Sequence, residues 1–260
     1  MTTTDSHTAN ATPENSTTKD RRSASEDRRC VREDRRDPPE ERGLVLERVR
    51  AHSLPDSVGP LLDEYESIVG DRDRFLWKWA HHLFPKFTLS CVPTEHADRT
   101  QETKLEGLLF VSILDDVAEK HQDLPTFEEA AKIPFEHRHE NPDRDGVNEP
   151  VLSFARDVWK RFDAHVAAGP RAAEFDELLR FDLKQVCTAM EYCYLMNQNV
   201  DAITLAELER YDTHNMMLYG FAGVDLAYSP AFDRRETHVV RKTAYRCQRL
   251  ARMSNWLSTW

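Results

Sequence analysis

The sequence predicts an all-α protein, a helical bundle behind an unstructured N-terminal tail. Two observations within the residues carry the all-α part. Apolar residues recur at spacings of three and four almost throughout, with no stretch alternating as a half-buried strand would. The 260 residues also hold only eight glycines, none in a phosphate-cradling loop, which argues against P-loop and dinucleotide-binding sheets.

The first 43 residues form a separate region. They carry ten Asp/Glu against nine Lys/Arg, many Ser and Thr, and no aromatic residue. Such a segment cannot bury enough apolar surface to offset chain entropy, so 1–43 is expected to be a disordered charged tail. Within it Asp20-Arg21-Arg22, Asp27-Arg28-Arg29 and Asp34-Arg35-Arg36 repeat every seven residues, as a solvated polyampholyte would.

Residues 44–260 are expected to form one α-helical domain. Candidate helices run over about 57–69, 72–84, 98–121, 148–167, 171–198, 203–219 and 234–260. Asp56 and Asp71 stand before the first two as caps and Pro170 before the fifth. The polar stretch from Pro134 to Pro150, with His137 and His139, reads as a loop, because no further ligands sit at metal-site spacing.

The net charge is -11, and nearly all of it falls on the body. An acidic body disfavours nucleic acid or an anionic membrane as the main partner. An anionic ligand would then need a locally cationic site, made by metal ions or clustered arginines. No apolar run approaches the roughly 18 residues of a membrane span, and the N-terminus lacks the apolar core of a secretory signal. Five cysteines without a CxxC pair fit a reducing, cytoplasmic setting better than zinc or a disulfide framework. Arginines outnumber lysines 26 to 9, a weak pointer to a salt-adapted or GC-rich source.

The chemistry-bearing run is Asp115-Asp116-Val117-Ala118-Glu119. Asp115 and Glu119 are four apart and share a helix face, where like charges repel. They also fall at a helix C-terminus, which disfavours each anion by roughly 0.3–1 kcal/mol. A hard divalent cation with oxygen ligands would offset that cost. The residues alone leave two readings open, a metal-binding cavity rim and a solvated acidic turn. The apolar run from Leu108 to Leu114 just before it suits a rim. Near the C-terminus Asn255 and Thr259 are again four apart on one face.

Together, Leu114-Asp115-Asp116-Val117-Ala118-Glu119 and Ser254-Asn255-Trp256-Leu257-Ser258-Thr259-Trp260 resemble the two metal motifs of bacterial-type class I terpene synthases, DDxxD/E and Asn-x-x-x-Ser/Thr-x-x-x-Glu. Their separation of about 140 residues suits that family, and the likeness extends over roughly Leu61 to Trp260. Glu119 stands for the commoner third aspartate, Trp256 for a frequent acid, and the family's final glutamate would fall three residues past Trp260. The resemblance therefore implies a member truncated at its C-terminus.

It further implies a magnesium-dependent carbon–oxygen lyase that ionises a C15 or C20 isoprenyl diphosphate and cyclises the carbocation. On a class I terpenoid-synthase helical bundle, Asp115 and Glu119 would be catalytic metal ligands and Asp116 a ligand or a support for one, joined by Asn255 and Thr259, with three Mg2+ ions when substrate is bound. Arg210, 45 residues before Asn255, would sense the diphosphate, or is a surface arginine. Met216, Met217, Tyr219, Gly220 and Gly223 resemble a kinked pocket helix. Phe87, Phe110 and Tyr219, with Trp77, Phe84 and Trp256, are candidate pocket aromatics, though each also suits a core. The alternative is a non-catalytic helical protein keeping part of the magnesium–diphosphate site. A linear prenyltransferase would want a second DDxxD, and none lies downstream. A homodimer is left open.

Overall fold

The computed structural model describes residues 39–70, 72–135 and 138–259. Among them are ten α-helices and no strand, so the all-α expectation holds. The chain divides into Met1–Leu44 and Val45–Trp260. Of the first unit only the opening of α1 is described, and the tail expectation for residues 1–38 lies outside the described residues. Helix α1 (Pro39–Ala51) begins inside the stretch assigned to the tail. No apolar periodicity announced it: Leu44, Val45 and Leu46 are exposed, and Val49 is its buried anchor.

The second unit continues with α2 (Gly59–Ile68) and α3 (Arg74–Phe87). The cap of α3 is Asp73, whose carboxylate accepts from Phe75 N, and not Asp71. Pro85 lies inside this helix without ending it, and Thr88 Oγ1 donates to the Phe84 carbonyl at its last turn. Then come α4 (Ala97–Asp115), α5 (Leu124–Ala130), α6 (Glu149–Ala167) and α7 (Ala172–Gln198). Helix α5 was not read from the sequence, although Asp123 caps it and Pro125 sits in its first turn, the residues that favour a helix start. The last three are α8 (Leu205–Arg210), α9 (Leu218–Ala227) and α10 (Thr237–Thr259).

Helix α4 is the axis of this unit. It packs against α3, α6, α7 and α9, and from Leu105 to Leu114 only Leu108 escapes full burial. A helix apolar on all sides must be enclosed. Each of Leu105, Leu109, Ile113 and Leu114, fully buried, contributes roughly 1.5–3 kcal/mol of transfer free energy. One buried ion pair crosses the same core: Lys104 Nζ lies 2.7 Å from Asp225 Oδ1 of α9 and also donates to Thr88 Oγ1.

The expected single helix over 203–219 is broken into α8, a 3-10 turn at Asp212–Met216, and α9. Met217 at the joint has φ +53°, in the left-handed region, at a cost of about 1 kcal/mol or more for a residue with a Cβ. Two glycines make room for it. A Cβ on Gly107 or on Gly220 would stand 3.0 Å from the Met217 thioether methyl.

Candidate functional site

At Asp115 the α-helical pattern of α4 gives way to a wider π turn, Asp116–Lys120. Such turns are rare and collect at functional positions. Gln122, at φ +54°, closes the turn by donating its amide to the carbonyls of Ala118 and Glu119. The three acids of the motif therefore leave the helix end in different directions and meet different partners.

Asp116 is fully buried and saturated. It accepts from the Tyr65 hydroxyl, from Arg72 Nε at 3.0 and 2.9 Å, and from Arg72 Nη2 at 2.7 Å, and Lys120 Nζ lies 3.2 Å away. Burial pushes its carboxyl up, but the hydrogen bonds of Arg72 and Tyr65 outweigh burial and hold it below the ordinary aspartate range. Of the two roles open to Asp116, ligand or support for one, these contacts suit the support. Asp116 ties α2 and the start of α3 to the end of α4, and its oxygens are already in use.

Asp115 is the more open of the pair, with 23 % of its side chain accessible. One oxygen takes Arg72 Nη2 at 2.5 Å, and the other takes Asn215 Nδ2 at 3.2 Å. Glu119 keeps one buried oxygen with no hydrogen-bond partner. Burial first, and then the charge of Asp115, push its carboxyl up to about 7, against the neighbouring Cys193 thiol and the charge of Arg252. A half-protonated glutamate beside an aspartate is what a site short of positive charge looks like.

The facing wall comes from α7, the 3-10 turn and α10. Asp212, buried, receives Arg252 Nε at 2.8 Å and Nη2 at 2.6 Å, Trp256 Nε1 at 2.9 Å and the Cys193 thiol at 3.0 Å. Arg252 Nη1 also donates to Asn255 Oδ1 at 3.0 Å. Asn255, some 140 residues away in sequence from Asp115, thus belongs to the same connected network as Glu119, through Arg252 and Cys193. Thr259 ends α10, and its side chain lies outside the described residues.

The other expected residues are dispersed. Arg210 is exposed on α8, over the Tyr211 ring, and no described contact joins it to the acids. Phe87 is 52 % exposed at the end of α3. Phe110 is core, tilted against Trp159. Tyr219 stacks on His214 beneath Arg241. Trp77 packs edge-on to Tyr65, Phe84 edge-on to Phe221, and Trp256 serves Asp212. The expected aromatic pocket wall is not assembled from these side chains. Two surface grooves, one between α1 and α3 (Leu46, Arg50, Phe75, Lys78) and one between α7 and the start of α10 (Phe175, Phe181, Thr237), lie away from the acids.

Arg72, Tyr65, Asn215, Asp212, Cys193 and Arg252 were not singled out by sequence. Each is a common residue type, and only the fold brings them to the motif. Asp212 alone carried a signal, an acid beside Arg210 and Tyr211 in the segment already under suspicion.

A second cluster sits higher on α4, where Glu102, Glu106 and His165 offer ligand atoms within 4.8 Å of one another. Arginines close it. Arg161 Nε lies 2.5 Å from Glu106 and Arg161 Nη2 3.3 Å from Glu102, while Arg99 lies 3.1 Å from Glu102 and His165 Nδ1 2.7 Å from Glu106. With every carboxylate neutralised by a cation, it is a structural ion-pair network and not a metal site.

No family model, curated protein or solved structure matches this chain.

Proposed function

We propose that the chain is a magnesium-dependent enzyme of the class I terpene synthase type, ionising an isoprenyl diphosphate. The observation that carries the reading is the meeting of Asp115 and Glu119 with the network of Asp212, Arg252 and Asn255. Asn255 of the later motif is linked to Glu119 of the earlier one through Arg252 and Cys193, which supports a resemblance that rests on those two motifs.

The donor set suits the ion. Magnesium prefers hard oxygen ligands and one or two carboxylates together with substrate phosphates. Asp115 and Glu119 would hold it, with Asn255 on the opposite side. Glu119's unpartnered buried oxygen and raised pKa are what a nearby cation would relieve. When bound, Mg2+ supplies Lewis-acid stabilisation of a departing diphosphate. The chain's own residues orient and exclude. Arg72 fixes Asp116 and steadies Asp115. Arg252 is held by Asp212 within reach of the acids and adds a permanent positive charge to the facing wall.

The test is incubation of the protein with C10, C15 and C20 isoprenyl diphosphates, with Mg2+ or with a chelator, and gas chromatography of the products. Magnesium-dependent hydrocarbon or alcohol product is expected. Asp115→Asn should cut it by about 10–100-fold, as loss of a metal ligand or its support commonly does. Absence of metal-dependent product and of magnesium-dependent diphosphate binding would overturn the reading. Binding without product would favour a second one, a helical protein that holds magnesium diphosphate without turning it over. The grip of Arg72 on both aspartates speaks for that alternative.

A further inference from the structure

We propose that His52 and His81 form a second metal site, for a borderline divalent transition metal of the nickel–copper–zinc group, with the His82 ring packed beside it. It lies where the end of α1 meets α3 and shares no residue with the carboxylate site. His52 Nε2 stands 2.7 Å from His81 Nδ1. The His82 ring is edge-on to His52, with centroids 5.4 Å apart. All three rings are half-buried, so solvent reaches them while packing limits their motion.

The chemistry follows from what two facing imidazoles share. At 2.7 Å one ring nitrogen donates and the other accepts, so the pair holds one proton between them. Two nitrogens at about 2.0–2.1 Å from a common ion stand roughly 2.9 Å apart at a right angle and about 3.3 Å apart in a tetrahedron. The observed spacing lies nearer the right-angled, tetragonal arrangement, which nitrogen ligands give to nickel and copper(II). Binding needs both facing lone pairs. The donor ring's proton therefore moves, through solvent, to its other nitrogen, and the neutral pair takes up the ion with no net proton release.

The surroundings favour the neutral form of His52 and His81 and leave acids nearby. Burial, joined by the charges of His82 and Lys78, holds His52 below its ordinary pKa. Burial and His52 hold His81 down, while Asp98 and Glu102 of α4 act on it in the other direction. Lys78 of α3 is engaged, its ammonium donating to the Arg50 carbonyl at 2.8 Å. Asp98 and Glu102 offset part of the charge of an incoming ion. Neutral imidazole is the form that binds metal.

Chelator-stripped, untagged protein titrated calorimetrically with Ni2+ or Zn2+ alone tests this. One equivalent should bind. His52→Ala and His81→Ala should each weaken it by about tenfold or more, and Asp115→Asn should leave it unchanged. Binding that survives in the His52→Ala/His81→Ala double variant, or that disappears in Asp115→Asn, would overturn the proposal. Copper(II) electron paramagnetic resonance on the unaltered protein serves where a variant misfolds. Nitrogen couplings from at least two imidazoles are expected, and an all-oxygen spectrum would sink the site.

Discussion

Two groups of carboxylates ride on α4, and their pairing is opposite. Near the middle of the helix, Glu102 and Glu106 meet Arg99, Arg161 and His165, so each acid has a cation. At its end, Asp115 and Asp116 share Arg72, Lys120 stands beside Asp116, and Arg252, whose charge reaches Glu119, is gripped by Asp212. Glu119 is left with a buried oxygen unpaired. The same helix therefore carries a closed network that fastens α6 to it and an open one that asks for a cation. Acidic residues alone do not distinguish the two. A buried carboxylate oxygen without a donor does.

The largest expected effect lies in the closed network. Glu106→Ala removes the buried acid that Arg161 and His165 share, and although Arg161 keeps Glu102, leaving these part-buried donors short of a partner should cost about 2–3 kcal/mol. Denaturant unfolding should show the loss, and a change under 1 kcal/mol would mean that the two clusters differ less than their contacts suggest.

In the open network the sign reverses. Glu119 has a folded pKa raised to about 7 from an ordinary 4.5, so the native state binds the extra proton between those values. The metal-free protein therefore loses stability as pH rises from 4.5 to 7, and the loss stays constant above that. Glu119→Gln removes the penalty, and the variant should be more stable by about 1–3 kcal/mol at pH 8. The gain should vanish below pH 4.5 in paired thermal melts. Equal stabilisation at pH 4 and pH 8 would remove the charge explanation.

Between the two groups lies Gly107. An added Cβ would stand 2.8 Å from Phe162 Cε2 and 3.0 Å from the Met217 methyl. Gly107→Ala should cost about 1–3 kcal/mol by overpacking. Because it presses on Met217, two residues past Asn215, it should also loosen the Asn215 contact with Asp115. A parallel drop in magnesium affinity, read by calorimetry, would sharpen the link between packing and site. The smallest effect is at exposed Arg210, where Arg210→Ala should move stability by less than about 0.5 kcal/mol. A large loss of product formation with unchanged stability would give Arg210 the diphosphate role that the resemblance implies.

The helices were legible because their cause is local. Apolar spacing placed α2, α3, α4, α6, α7 and α10 within a few residues, and the π turn over 116–120 was read as more α-helix because both wind the chain alike in sequence. Helix α1 escaped because its apolar residues are largely exposed, and α5 because seven residues hold too little periodicity. The break at Met217 was hinted at by Gly220, but a left-handed methionine has no sequence signature. At the site, the acids were visible as an electrostatically costly run. Which of them is saturated depends on Arg72 and Tyr65, more than forty residues upstream, and no spacing rule reports that.

Cys193 adds a handle on these motions. Burial and the charge of Asp212 push its thiol well above the ordinary range, and Cys187 is raised to about 12 by burial. Alkylation needs the thiolate, so at neutral pH both should react slowly with iodoacetamide while the fold is intact. For Cys193 the measured rate then becomes a clock for how often the seam joining Glu119, Asp212 and Arg252 comes apart. Any ligand that knits the two walls together should slow that clock, whatever its chemical identity.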